Sequence, residues 1–126
     1  MRTVQGITIC ALLVMCQLLL CGCGSKADEN KPIADVKAEA EKMDTGKLRT
    51  IAETYKNAIA AKKGDLEKVT AKLKDIPATE LLGQEAKNLK AEFDNLNKSI
   101  SALKERFEVY YQKLKEKGGD LSGLQI

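Results

Sequence analysis

The 126-residue chain contains no histidine and no tryptophan, only two prolines, and 4% aromatic residues. The lack of histidine removes the commonest general base and the commonest metal ligand in proteins. Basic and acidic residues nearly balance, with 21 Lys and Arg against 18 Asp and Glu and a net charge of +3. This balance does not favour a nucleic-acid partner, which requires a clustered basic face. The length allows one domain at most.

The four cysteines, Cys10, Cys16, Cys21 and Cys23, all lie near the N-terminus. A disulfide framework spreads its cysteines through the folded part of a chain. A metal site at Cys21 and Cys23 would need further ligands, but the chain has no histidine, and Cys10 and Cys16 lie in the segment that we expect to be removed. We therefore predict neither a disulfide framework nor a metal, and no other cofactor.

Residues 1–22 have the features of a targeting segment. Arg2 forms a short basic region, residues 7–20 are mostly apolar, and small residues follow at Gly22 and Gly24. A short apolar run that ends in small residues is typical of a signal peptide, because a membrane-spanning helix needs about 20 apolar residues. We expect this segment to be removed.

The end of that segment, Leu20-Cys21-Gly22-Cys23, resembles the lipobox of bacterial lipoproteins. The resemblance implies that cleavage falls between Gly22 and Cys23. It also implies that the Cys23 thiol carries diacylglycerol and that its new amino group is fatty-acylated, for example with palmitate. Cys21 is the alternative site, but none of the three residues before it is small. In a Gram-negative host, Gly24 after the cysteine implies the outer membrane, facing the periplasm.

Residues 23–32 follow as the lipidated cysteine and a tether. The stretch from Gly24 to Pro32 is small, polar and charged, and it has no apolar periodicity. Such a composition is typical of a flexible linker. We expect it to hold the folded part away from the membrane.

A short amphipathic helix is predicted over residues 33–43, where apolar residues recur three or four positions apart. Gly46 can end this helix, and Asp44 or Thr45 can cap the one that follows. Two arrangements remain open. The short helix continues into the next one with a kink, or it packs as a third helix.

Two long helices are predicted over residues 47–74 and 78–117, with a turn at Pro77 between them. Gly64 lies inside the first without disturbing the apolar spacing, so we expect a continuous helix, with a break at Gly64 as the alternative. The spacings alternate between three and four, which is typical of a coiled coil. The predicted seam consists of Leu48, Tyr55, Ile59, Leu66, Val69, Leu73, Leu82, Leu89, Phe93, Leu96, Ile100, Leu103 and Phe107.

These patterns predict an all-α fold in which residues 33–117 form an antiparallel helical hairpin or coiled coil. With Leu73 placed opposite Leu82, apolar residues face each other along nearly the whole seam, and Tyr55 lies opposite Ile100. Residues 118–126 begin with Gly118 and Gly119, which stop the helix. We expect them to form a flexible C-terminal tail.

An anchor, a tether and long amphipathic helices together predict a lipid-anchored protein of the bacterial cell envelope with a structural or protein-interaction role. Its expected partners are the membrane, through the anchor, and another envelope protein or a second copy of the chain. The alternative is a membrane-surface or lipid-binding protein whose helices open onto lipid. No nucleophile motif, phosphate-binding loop or metal cluster points to an enzyme, and no small-molecule substrate is evident.

Overall fold

A computed structural model describes residues 26–126 of the chain. They form three α-helices, α1 (Ile33–Lys42), α2 (Thr45–Asp75) and α3 (Gln84–Glu116), with a short 3-10 turn at Ala78–Glu80 between α2 and α3. The predicted all-α class is confirmed, and α2 packs along α3 as a hairpin. Within this part of the chain, no helix is both long and apolar enough to cross a membrane. The proposed signal peptide and Cys23 lie outside the described residues.

The short helix α1 is a separate element and does not continue into α2. Met43 and Asp44 both have extended backbone, with ψ of 146° and 169°. The Asp44 carboxylate accepts a hydrogen bond from the Lys47 backbone N–H at 2.8 Å and so caps the first turn of α2. Because α1 packs against α3, it is the third helix of the bundle.

Helix α2 runs without a break through Gly64, as the spacing predicted. Its 31 residues give a rod of about 46 Å. A side chain at Gly64 would meet no atom within 4 Å, so this glycine lies on an open side of the helix. The glycine therefore lowers helix propensity without serving a close contact.

The third helix begins at Gln84, six residues later than predicted. Pro77 starts only the 3-10 turn, and Gly83 ends it by donating its N–H to the Glu80 carbonyl at 2.8 Å. Leu82 lies in this connection and is 85% exposed, so its placement in the seam was wrong.

The pairing register of the hairpin also differs from the expected one. The Tyr55 ring lies 5.5 Å from the Tyr110 ring, whereas the apolar pattern placed Tyr55 opposite Ile100. Ten residues of helix span about 15 Å, which is too far for one ring to contact both positions. The cause is the longer connection, because a later start of α3 moves every pair toward its C-terminal end.

The core lies in the half of the hairpin that α1 covers, and it includes eight residues of the hairpin that are almost fully buried: Leu48, Ala52, Tyr55, Ile59, Leu103, Phe107, Tyr110 and Leu114. The other half, residues 62–99, we call the distal arm. It consists of only two helices and their connection, so fewer of its seam side chains are covered. Val69, Ala86 and Leu89 are buried there, while the remaining helical seam residues are half-buried: Leu66, Leu73, Phe93 and Leu96.

Residues 118–126 fold back onto the bundle, so the prediction of a flexible tail was wrong. Gly118 has a φ of 71°, and the Gly119 N–H bonds the Leu114 carbonyl at 2.9 Å. This is a Schellman ending, in which the left-handed residue reverses the chain. A side chain at Gly119 would lie 2.1 Å from the Leu114 Cδ1 atom, so only glycine fits there.

Beyond the reversal, the tail is held by α2. The Arg49 guanidinium donates to the backbone carbonyls of Asp120 at 2.7 Å and Ser122 at 2.9 Å, and the Lys56 ammonium donates to the Gly123 carbonyl. Leu124 is completely buried in the core. Arg49 and Lys56, which lie outside the predicted apolar seam of α2, thus hold the tail.

Candidate functional site

Residues 26–32, which we call the N-terminal strap, lie against the hairpin, so for these residues the prediction of a flexible tether was wrong. The Tyr55 hydroxyl accepts from the Asp28 N–H at 3.2 Å and donates to the Asp28 carbonyl at 3.1 Å. Arg106 donates its Nε–H to the Lys31 carbonyl at 2.9 Å. Residues 23–25 lie outside the described part of the chain.

Arg106 is a structural residue that the apolar pattern did not reveal. It is 8% exposed, and its second hydrogen bond goes to the Ala102 carbonyl at 2.7 Å. Burial of a charge is costly unless hydrogen bonds compensate it, and here two backbone oxygens do so. The only signal in the sequence is its place directly before the seam residue Phe107.

An open cleft of about 1110 Å³ lies between the strap, α1 and the first half of α2, and we call it the α1/α2 cleft. It exists because α1 packs mainly against α3 and leaves a gap beside α2. Its floor is apolar and aromatic, formed by Met43, Ile51, Tyr55 and Tyr110. The apolar pattern placed Tyr55 in the seam but did not predict this cleft.

Tyr110 is the most buried side chain of the floor, with 2% of its surface exposed. Burial, together with the nearby Tyr55 and Glu39, raises the pKa of Tyr110 to about 12. Among residues 26–126 its hydroxyl has no hydrogen-bond partner, yet no fully buried side-chain polar atom in that part of the chain is unsatisfied. Tyr110 is one of the residues that line the cleft.

Each acidic group at the rim of the cleft accepts a hydrogen bond, but only Glu39 is paired with a charged group. The Glu39 carboxylate pairs with the Lys31 ammonium at 2.5 Å, a bond that raises the pKa of Lys31. Asp44, the N-cap of α2, accepts from the Lys47 N–H at 2.8 Å, and Asp28 accepts from the Asn30 N–H at 2.8 Å.

Two lysines at the same rim, Lys26 and Lys47, have no charged partner among the described residues. Within residues 26–126, the ammonium groups of Lys26 and Lys47 make no ion pair. Residues 1–25 contain no Asp or Glu that might pair with them. The charges around the cleft nevertheless balance, because Lys26, Lys31 and Lys47 are matched in number by Asp28, Glu39 and Asp44.

A second groove, of about 340 Å³, lies between α1 and α3 and is lined largely by charged side chains. There the Lys113 ammonium lies 2.5 Å from both the Glu41 and the Glu116 carboxylates. These bonds raise the pKa of Lys113, and the Lys113 bond lowers the pKa of Glu41. Lys117 donates to the Glu41 and Met43 carbonyls at 2.8 and 2.6 Å. This network caps the C-terminal end of α1 and serves the fold.

No known protein family matches the chain, and searches of curated proteins and of solved structures also gave no match. Within the described residues, no group of three or more His, Cys, Asp and Glu side chains is arranged to hold a metal ion.

Proposed function

We propose that the chain is a lipid-anchored protein of the bacterial cell envelope, with a structural or protein-interaction role carried by its helical hairpin. The anchor is diacylglycerol on Cys23, in the lipobox-like sequence Leu20-Cys21-Gly22-Cys23. Two or three acyl chains on one residue give durable attachment, whereas one chain binds only marginally.

The docked strap makes the proposed anchor a short one. Cys23 precedes Lys26 by three residues, and three extended residues span at most about 11 Å. The bundle is therefore held close to the bilayer. In a Gram-negative host we propose the outer membrane, with the bundle in the periplasm.

The observation that carries the interaction role is the incomplete cover of the distal arm. Four of its seam side chains are half-buried, and at its tip Leu82 is 85% exposed and Leu81 41% exposed. Exposed leucines next to each other at the end of a hairpin form an apolar patch, and such patches mark sites of protein contact. Another envelope protein, or a second copy of the chain, is the proposed partner.

Opening of the helices onto a lipid surface is less well supported. It would expose core side chains such as Leu48, Leu103 and Leu114, which are 0–2% exposed. Burial of each leucine contributes about 1.5–3 kcal/mol. Circular dichroism of the Cys23→Ser protein with and without vesicles distinguishes the two functions, because opening would change the helix signal and the melting curve.

The anchor is tested by the pair Cys23→Ser and Cys21→Ser, with intact mass and membrane fractionation as readouts. Cys23→Ser should lose the lipid mass and leave the membrane fraction, while Cys21→Ser should keep both. Continued acylation of Cys23→Ser, or loss of acylation in Cys21→Ser, would show that the site is wrong.

The interaction role is tested in the native host with a photocrosslinking amino acid at Leu82 and, as the control, at Glu108, which is exposed on α3 outside the distal arm. Leu82 should give a discrete crosslinked product that Glu108 does not give. Identical products from both positions, or none from Leu82, would argue against the distal arm as an interaction surface.

A further inference from the structure

We propose that the docked strap orients the bundle on the membrane, so that the long axis of the hairpin lies along the bilayer and one side of α2 is turned to the lipid. This inference rests on the lipid anchor at Cys23 proposed above. It follows from the place where the strap leaves the bundle, from the few residues between that place and the anchor, and from the length of α2.

The strap contacts α2 near the middle of the helix. The Asp28 backbone is bonded to the Tyr55 hydroxyl at 3.1 and 3.2 Å. Lys26 and Ala27 border the same groove as Ala58 of α2. Ala58 lies 13 residues after the start of α2 and 17 before its end, which correspond to about 20 and 26 Å. The strap therefore leaves the bundle far from both ends of the hairpin.

The length of the tether excludes an upright bundle. Lys26 follows Cys23 by three residues, which span at most about 11 Å. A hairpin that stands on either end would hold Lys26 about 20 Å or more from the lipid. The long axis can therefore tilt from the membrane plane by at most about 30° before one end of the hairpin meets the bilayer.

The same short tether selects the side of α2 that is turned to the lipid. Ala58 borders the strap, whereas the Lys56 ammonium holds the tail. Two residues are about 200° apart around a helix, so the strap and the tail lie on opposite sides of α2. A bundle lying on its tail would hold Lys26 at least about 15 Å from the lipid, because one helix and the tail would lie between them. The side that carries Ala58, which we call the strap face, is therefore turned to the lipid.

Two acidic residues of α2 provide matched positions on the two sides. Asp65 follows Ala58 by seven residues, about two turns, so it lies on the strap face. Glu67 follows Arg49 by 18 residues, which are five full turns, so it lies on the side where Arg49 holds the tail. Both acids are exposed. Replacing either one removes the same charge at nearly the same position along the helix.

The experiment uses the full-length protein as its host processes it, in phosphatidylcholine vesicles, with a thiol-reactive fluorophore on Asp65→Cys or on Glu67→Cys. The processed chain offers no other thiol, because Cys23 carries lipid. Lipids with a nitroxide on the head group serve as quenchers. Quenching should be about twofold stronger at Asp65→Cys, because the diameter of a helix, about 10–12 Å, separates the two labels along the membrane normal. Equal quenching, or stronger quenching at Glu67→Cys, would overturn the proposal.

A longer tether tests whether the strap is the cause of the orientation. An insertion of about ten Gly and Ser residues between Ser25 and Lys26 changes no contact of the described residues and raises the maximum reach to about 45 Å. The bundle can then stand or roll, so the difference in quenching between the two positions should fall to less than about half. An unchanged difference would show that attraction between the protein surface and the lipid orients the bundle, and would refute the role of the strap.

Intact mass and flotation of the same samples separate this inference from the anchor on which it rests. A protein that carries the lipid mass and floats with the vesicles, but is quenched equally at both positions, refutes the orientation and leaves the anchor standing. A protein without the lipid mass that does not float refutes both the anchor and the orientation.

Discussion

The same chemical change at two leucines provides a direct test of how the bundle is closed. The sequence pattern predicted a buried Leu82 in the seam and an exposed Leu124 in a flexible tail, but the structure exposes Leu82 and buries Leu124. Leu82 is 85% exposed in the connection before α3, while Leu124 is completely buried two residues from the C-terminus. Leu124→Ala should therefore destabilise the protein, and Leu82→Ala should not.

The magnitude follows from what the Leu124 side chain contacts and from what limits the loss. Truncation of a buried leucine to alanine costs about 2–5 kcal/mol. A tail can detach, however, so the loss cannot exceed the free energy with which it docks. The other tail contacts include the exposed Arg49–Asp120 ion pair at 2.9 Å, which is worth at most about 1 kcal/mol. We expect a loss of about 2 kcal/mol for Leu124→Ala and less than about 0.5 kcal/mol for Leu82→Ala.

The assay is urea unfolding of both variants beside the unsubstituted protein, followed by the helix signal, with thermal melts as a second measure. A loss of about 2 kcal/mol corresponds to roughly 10 °C in melting temperature for a domain of this size. Hydrogen exchange at the Leu124 amide, which bonds the Leu121 carbonyl at 3.2 Å, reports docking locally. Equal stability of the two variants, or a larger loss in Leu82→Ala, would refute the packed tail.

Three further predictions concern single contacts. Gly119→Ala should destabilise by about 2 kcal/mol in urea unfolding, because its side chain would clash with a buried leucine of α3; Gly64→Ala, with open space around it, should instead stabilise by up to about 1 kcal/mol. Tyr110 has a folded pKa raised to about 12 from 10, so its contribution to stability is complete below pH 10 and is lost between about pH 10 and 12; melting temperatures of Tyr110→Phe should fall less over that range, and an unchanged pH dependence would contradict the assignment. Arg106→Met keeps apolar bulk but leaves the strap carbonyl unpaired, so residues 26–32 should become a site of limited proteolysis while the helix signal is retained; cleavage at the same rate as in the unsubstituted protein would contradict a docked strap.

Much of the helical architecture was readable from the sequence. Apolar residues spaced alternately three and four positions apart along residues 47–74 predicted a helix that passes through Gly64, and α2 does so. The connection was harder to predict, because Pro77 suits both a helix start and a 3-10 turn. In the structure the 3-10 turn ends at Gly83, whose backbone is extended before α3, with a ψ of 168°. An apolar residue at heptad spacing, Leu82, was therefore assigned to a helix that had not yet begun.

The α1/α2 cleft could not be predicted, because it depends on where α1 packs and not on any motif. The apolar pattern of residues 33–43 identifies a buried face but not the helix that covers it. Only the break at Met43 and Asp44 directs α1 onto α3 and leaves space beside α2. Tyr110 belongs to the same seam pattern as Leu114, and its spacing alone does not show that it lines a cleft.

Both irregular ends of the described chain are held in the same manner, by side chains of the hairpin that bond backbone groups. Tyr55 and Arg106 hold the strap through backbone groups of Asp28 and Lys31, while Arg49 and Lys56 hold the tail through its carbonyls. Bonds to backbone groups place little constraint on the side chains of the held segment. The strap and the tail therefore look like linkers in the sequence, and the information that fixes them lies in polar residues of α2 and α3 that a heptad pattern treats mostly as surface.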